Sequence, residues 1–189
     1  MFTQKKPATT LRKLHSLHAL PDGRAFTGKI EIGKARYQFT FTPQEASAPN
    51  GKLTLRGSVK VKPPTGSART VNQVTASLLA TQGSIVSAPP VPKSLPAALQ
   101  LEQPTRSLPA TDATDEQSSV GVLYFKLSPL DGRALGVPLD LSAVQLNARL
   151  YATAEVERDF QWLVSALVLA KTEAQLTGYL AEINRLLKA

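Results

Sequence analysis

The sequence predicts an α+β protein that is mainly β, with an antiparallel β-sandwich or open barrel of six to eight strands and a C-terminal amphipathic helix or helical hairpin. Apolar and polar residues alternate over residues 25–82 and again over 119–156, which is the period of a strand with one buried face. Over residues 157–189 the apolar period becomes helical. A chain of 189 residues suits one domain, so we expect residues 1–189 to share a single core.

The first β unit, residues 25–82, contains the clearest strand signal in the chain. Over residues 52–62, Leu53, Leu55, Val59 and Val61 point to one side, while lysine, arginine, threonine and serine point to the other. Pro63 and Pro64 end this strand because proline has no amide proton to donate to a neighbouring strand. Similar alternation predicts strands at residues 26–32, 37–41 and 74–80.

The second β unit, residues 119–156, repeats part of the first. Asp22-Gly23-Arg24 and Asp131-Gly132-Arg133 are 109 positions apart, and the alternating apolar residues that follow each motif keep that offset. This spacing predicts two related β units. A basic segment, residues 1–24, precedes the first unit. A Pro-rich connection, residues 83–118, joins the two units, and its six prolines interrupt any regular period.

The C-terminal region, residues 157–189, has a wide apolar helical arc, and such an arc needs cover on two sides. We expect the sheet to cover one side and a second copy of the chain to cover the other. Thr172 and Gln175 have the spacing of a capping box, which would begin a second helical stretch. One kinked helix and a helical hairpin both fit this pattern. The residues predicted to form the apolar interface are Phe160, Trp162, Leu163 and Leu167.

Positive charge is concentrated in the N-terminal third of the chain. The net charge is +8, but residues 1–69 alone hold thirteen Lys and Arg against three acidic residues. If the strands pair as predicted, six cations share the solvent side of the first sheet. Three of them recur at four-residue intervals, about 13 Å apart along a strand. The members of this basic face are Lys29, Arg36, Lys52, Arg56, Lys60 and Lys62.

Residue patterns that support catalysis or metal binding are weak in this sequence. The chain has no cysteine, which excludes disulfides and thiolate chemistry. His15 and His18 are three residues apart and would share one face of a helix, but a metal site needs a third ligand. Gly23 to Lys29 matches part of a phosphate-binding loop, yet Ile30 stands where serine or threonine binds magnesium. We therefore expect no catalytic residues, no metal and no cofactor.

The function expected from these observations is binding or assembly without catalysis. The basic face would contact an acidic protein surface, and the apolar helical surface would support packing or self-association. One alternative is a sequence-tolerant nucleic-acid or other polyanion-binding protein that uses the same face. Another is a small-ligand carrier or hydrolase with its site inside the β scaffold. No apolar stretch is long enough to cross a bilayer, so we expect a soluble, cytoplasmic protein.

Overall fold

A computed structural model describes residues 12–19, 25–32, 34–82, 119–138, 140–151 and 155–188. The predicted Pro-rich connection at 83–118 and the first Asp-Gly-Arg motif lie outside these residues. The described elements are seven strands, one 3-10 turn and three helices. The strands are β1 (Arg12–Ala19), β2 (Phe26–Ile32), β3 (Ala35–Ser47), β4 (Thr54–Lys62), β5 (Arg69–Gln82), β6 (Ser119–Leu127) and β7 (Val144–Tyr151). The turn is Pro49–Gly51, and the helices are α1 (Gly132–Leu135), α2 (Glu155–Val168) and α3 (Glu173–Lys188).

The sheet is a meander that closes on itself as a barrel. Each strand from β1 to β7 pairs with the next in antiparallel fashion, and β1 pairs with β7 in parallel. An up-and-down meander of seven strands has its first and last strands running the same way, so the closing pair has to be parallel. The mainly β, α+β fold is thus confirmed. Of the two predicted architectures the barrel is the one found, and it is closed instead of open.

The barrel interior is filled by the apolar side chains of the alternating strands. Phe26 stacks on Phe41 with ring centroids 6.3 Å apart, and it also meets Phe125 at 6.2 Å. Leu55, Val59 and Val61, the apolar side of the clearest strand in the sequence, are fully buried. These contacts explain the period of two in the sequence, because every second residue enters this core.

The C-terminal region is a helical hairpin, which decides between the two arrangements that the sequence allowed. Residues 169–172 separate α2 from α3. The predicted capping box is present. The backbone amide of Gln175 donates to Thr172 Oγ1 at 3.2 Å, and the backbone amide of Thr172 donates to Gln175 Oε1 at 3.3 Å. This exchange satisfies amides at the start of α3 that have no partner within the helix.

Two stretches differ from the sequence expectation. Arg12–Ala19 is a strand, not the helical surface on which His15 and His18 would share one face. The register of this strand with β7 shifts between Leu14 and Leu17. The second β unit also ends early: β7 stops at Tyr151, and α2 begins at Glu155.

The predicted repeat is present in one strand of each β unit, β3 in the first and β7 in the second. Tyr37, Phe39 and Phe41 of β3 enter the core, as do Leu146, Ala148 and Leu150 of β7 at the same offset of 109. Ahead of β7, however, the described residues that correspond to β2 at this offset, 135–138, 140 and 141, contain the end of α1 and an isolated bridge at Leu141 in place of a strand. Asp131 accepts hydrogen bonds from the amides of Arg133 and Ala134, so it caps this short helix.

Candidate binding face

The six residues of the basic face are all exposed on the outer side of the barrel wall. Lys29 belongs to β2, Arg36 to β3, and Arg56, Lys60 and Lys62 to β4. Lys52 precedes β4, where its amide donates to the carbonyl of Pro49 and closes the 3-10 turn. The face therefore spans three neighbouring strands, β2, β3 and β4.

Strand register brings three of these cations together in what we call the lysine cluster: Lys29, Lys60 and Lys62. Lys29 pairs with Gln38, and Gln38 pairs with Lys62, so the two lysines flank the same residue of β3. In the adjacent row Lys60 pairs with Thr40. Within the described residues, no carboxylate lies within 4.0 Å of the ammonium group of any of the three. The cluster is therefore an exposed patch of concentrated positive charge.

The arginines of the basic face have acidic neighbours. Arg36 is the register partner of Glu31, and its guanidinium lies 2.8 Å from the Glu31 carboxylate. Arg56 is the register partner of Glu45. Opposite charges directly across a strand pair attract each other, so the arginine positions carry less unbalanced charge than the lysine cluster does.

The aromatic residues of β3 do not reach the basic face. Tyr37, Phe39 and Phe41 alternate with the outward residues Gln38 and Thr40 and are buried inside the barrel. Proteins that bind single-stranded RNA on a sheet stack bases on exposed aromatic rings. The outer side of β3 has no aromatic side chain with which to do this.

The predicted apolar helical surface is corrected by the structure. Phe160, Trp162, Leu163 and Leu167 are all at least 97% buried within the chain's own core. Phe160 packs its ring on Phe26 at 6.3 Å, at the barrel side of α2. Trp162 meets Tyr179 of α3 edge to face at 5.9 Å. The barrel therefore covers one side of α2 and α3 covers the other, whereas the sequence had suggested that a second copy of the chain covers one of them.

A polar stripe on α2 was missed by the sequence analysis. Glu157 and Gln161 are buried to 3% and 2% exposure, and Ser165 continues the stripe one turn later. The Ser165 hydroxyl donates to the Gln161 carbonyl at 2.9 Å, and Gln161 Oε1 is buried without a hydrogen-bond partner. These three residues recur every four positions inside an otherwise apolar arc, and this spacing was the sequence signal that could have predicted the stripe.

A shallow, open depression lies beside α1, between Leu130 and Leu141, which form an isolated bridge. Asp131 and Asp140 line it, but each carboxylate already accepts a backbone hydrogen bond, from Arg133 and from Ser142 respectively. Among the described residues, no group of three or more His, Cys, Asp or Glu is placed to hold a metal ion. These carboxylates hold local backbone geometry.

Comparison of the chain with protein-family models, with curated proteins and with solved structures found no match. The helices that the structure describes include none with the length and apolar character needed to span a bilayer. The basic face and its lysine cluster are therefore the features of the described residues that best indicate a function.

Proposed function

We propose that this chain is a non-enzymatic binding protein whose basic face contacts an acidic surface of a partner protein. The observation that carries the proposal is the lysine cluster. Three exposed ammonium groups share one side of the barrel, and within the described residues none has a carboxylate at ion-pair distance. Adjacent like charges repel each other, and an acidic partner relieves that repulsion when it binds.

The mixed charge around the cluster favours a protein partner over a nucleic acid. Glu31 and Glu45 lie on the same outer side of the barrel, each opposite an arginine. A protein surface can place its own cations against these carboxylates, whereas a continuous phosphate backbone would meet them with repulsion. The inward position of Tyr37, Phe39 and Phe41 also removes the base-stacking contribution.

The contact would be governed by electrostatics and sensitive to salt. Lysine side chains on an exposed sheet are mobile and hydrated, so each contact contributes little and the sum depends on several acting together. Charge complementarity of this kind mainly accelerates association and selects the partner. We therefore expect rapid, reversible binding.

The test is fluorescence anisotropy of a labelled oligo-glutamate peptide titrated with the full chain. Binding is expected at low salt, with a loss of about tenfold or more in affinity at physiological salt. The triple variant Lys29→Glu, Lys60→Glu and Lys62→Glu should lose binding. A matched variant, Lys126→Glu, Lys171→Glu and Lys188→Glu, changes the net charge equally at exposed sites outside the basic face and should keep most of it.

Two results would overturn the proposal. The first is equal loss of binding in the two triple variants, which would mean that net charge alone attracts the peptide. The second is tighter binding of an oligonucleotide of equal charge, with a steep dependence on salt, which would assign the basic face to nucleic acid. Circular dichroism of each variant confirms that the fold persists, as expected for exposed substitutions.

A further inference from the structure

The lysine cluster and three polar neighbours form a small grid of six outward residues on the barrel wall. Lys29 and Thr27 lie on β2, Gln38 and Thr40 on β3, and Lys62 and Lys60 on β4. Register partners on neighbouring strands are about 5 Å apart, and alternate residues along a strand are about 7 Å apart. Three lysines therefore surround a centre made of one amide and one hydroxyl side chain.

We propose that this grid is a site for a phosphoryl group carried on a phosphorylated segment of the partner protein. The inference rests on the proposed function and specifies which acidic group the partner presents. A lysine side chain has a flexible four-carbon stem, which is long enough for three ammonium groups to meet above Gln38 and Thr40 when an anion is there. The amide of Gln38 and the hydroxyl of Thr40 can each donate a further hydrogen bond.

The charge of the cluster fits a phosphoryl group better than a single carboxylate. Three cations lie within one strand's width of Gln38 and Thr40, and none of their ammonium groups has a described carboxylate within 4.0 Å. A phosphorylated side chain brings a charge of about −1.5 to −2 and three acceptor oxygens on one atom. A carboxylate brings one charge and two oxygens, so it leaves most of the repulsion between the lysines in place.

The arginines mark the limits of the site. The Glu31 carboxylate lies 2.8 Å from the Arg36 guanidinium, and Glu45 lies opposite Arg56 in the strand register. Each carboxylate would repel a phosphoryl group placed at its arginine. The phosphoryl group is therefore directed to the lysines, and the surrounding residues contact uncharged or mixed-charge parts of the partner segment.

The experiment compares three labelled peptides of one sequence that differ at the central position. One carries phosphoserine, one carries glutamate, and one carries two glutamates so that its charge equals that of the phosphopeptide. We expect the phosphopeptide to bind the full chain about tenfold more tightly than the charge-matched peptide, because its charge and acceptors are concentrated at one point. Inorganic phosphate should compete with the phosphopeptide for the lysine cluster.

The variants assign that preference to the grid. Lys29→Gln, Lys60→Gln and Lys62→Gln together should abolish the advantage of phosphoserine. Gln38→Ala with Thr40→Ala should reduce it by about threefold to tenfold, since each donor contributes one charge-assisted hydrogen bond. The control, Lys52→Gln with Arg56→Gln, removes cations of the basic face outside the grid and should preserve the advantage.

The possible failures are distinguishable. Equal affinity for the phosphopeptide and the charge-matched peptide would overturn the phosphoryl site and leave the acidic-partner proposal standing. Failure of all three peptides to bind would overturn both. A phosphoserine preference that survives the lysine triple variant would place the phosphoryl group elsewhere on the chain and overturn the assignment to this grid.

Discussion

The side chain of Asn184 binds both backbone groups of Ala46. Its Oδ1 accepts from the Ala46 amide at 2.7 Å, and its Nδ2 donates to the Ala46 carbonyl at 2.9 Å. One amide side chain on α3 thereby acts as a strand partner for β3, one residue after the register shift between Pro43 and Glu45. This pair of hydrogen bonds fixes the helical hairpin to the barrel at a defined position.

Replacing Asn184 with alanine should destabilise the fold by about 2 to 4 kcal/mol. Ala46 is 6% exposed, so the loss of Asn184 leaves a buried amide and a buried carbonyl without partners. Urea denaturation followed by circular dichroism measures the change. The matched control, Asn72→Ala, alters an exposed asparagine of β5 and should change stability by less than about 0.5 kcal/mol. If Asn184→Ala lost as little stability as the control, α3 would be held to the barrel mainly by its apolar contacts.

Replacing Phe160 with alanine should destabilise the monomer by about 3 to 5 kcal/mol, because its ring packs on Phe26 in the core. The control is Val156→Ala at an exposed position of the same helix, which should have a small effect. Sedimentation equilibrium measures the solution mass of each protein alongside the unfolding curve. If Phe160→Ala lowered the mass of an oligomer without reducing monomer stability, the residue would belong to an interface between chains.

The strands of the first β unit were predictable because period-two alternation directly reflects burial on one side of a sheet. Over β4, residues 54–62, buried leucine and valine residues alternate with exposed arginine and lysine residues. Neighbouring strands were paired only by assumption, and the closing pair of β1 with β7 brings together residues more than 120 positions apart. No local pattern specifies such a contact, which explains why the N-terminal strand was missed.

The residues of the candidate site were predictable from the sequence, but their arrangement relative to one another was not. All six cations were identified from alternation, and all are exposed. The separation into a lysine cluster and two arginines with acidic neighbours depends on register, which the sequence leaves open. The helical interface was wrong for a related reason. Apolar periodicity shows that a face is buried without showing what buries it, and here the barrel and α3 cover it.

Replacing Gly57 with alanine should cost about 3 kcal/mol or more, because an added Cβ would lie only 2.0 Å from the Thr42 carbonyl oxygen. The comparison variant is Gly51→Ala, where the φ angle of +72° is unfavourable but no atom lies within 4 Å of the added Cβ. That change should cost about 1 to 2 kcal/mol from the backbone conformation alone. Thermal unfolding measures both, and a smaller loss at Gly57 than at Gly51 would mean that β3 and β4 can separate at low cost.

Replacing Gln161 with leucine should stabilise the fold by about 1 kcal/mol. The residue is 2% exposed, its Oε1 has no hydrogen-bond partner, and its Nε2 lies a long 3.4 Å from Ser165 Oγ. Leucine has a similar volume, so the change removes an unsatisfied buried polar atom and leaves no cavity. The control is Gln145→Leu on β7, which gives up a good hydrogen bond of 2.8 Å to Asn147 Oδ1 and should be neutral or destabilising. Urea unfolding of both variants decides the matter: a clear loss of stability in Gln161→Leu would mean that Oε1 has a partner in solution, such as an ordered water molecule.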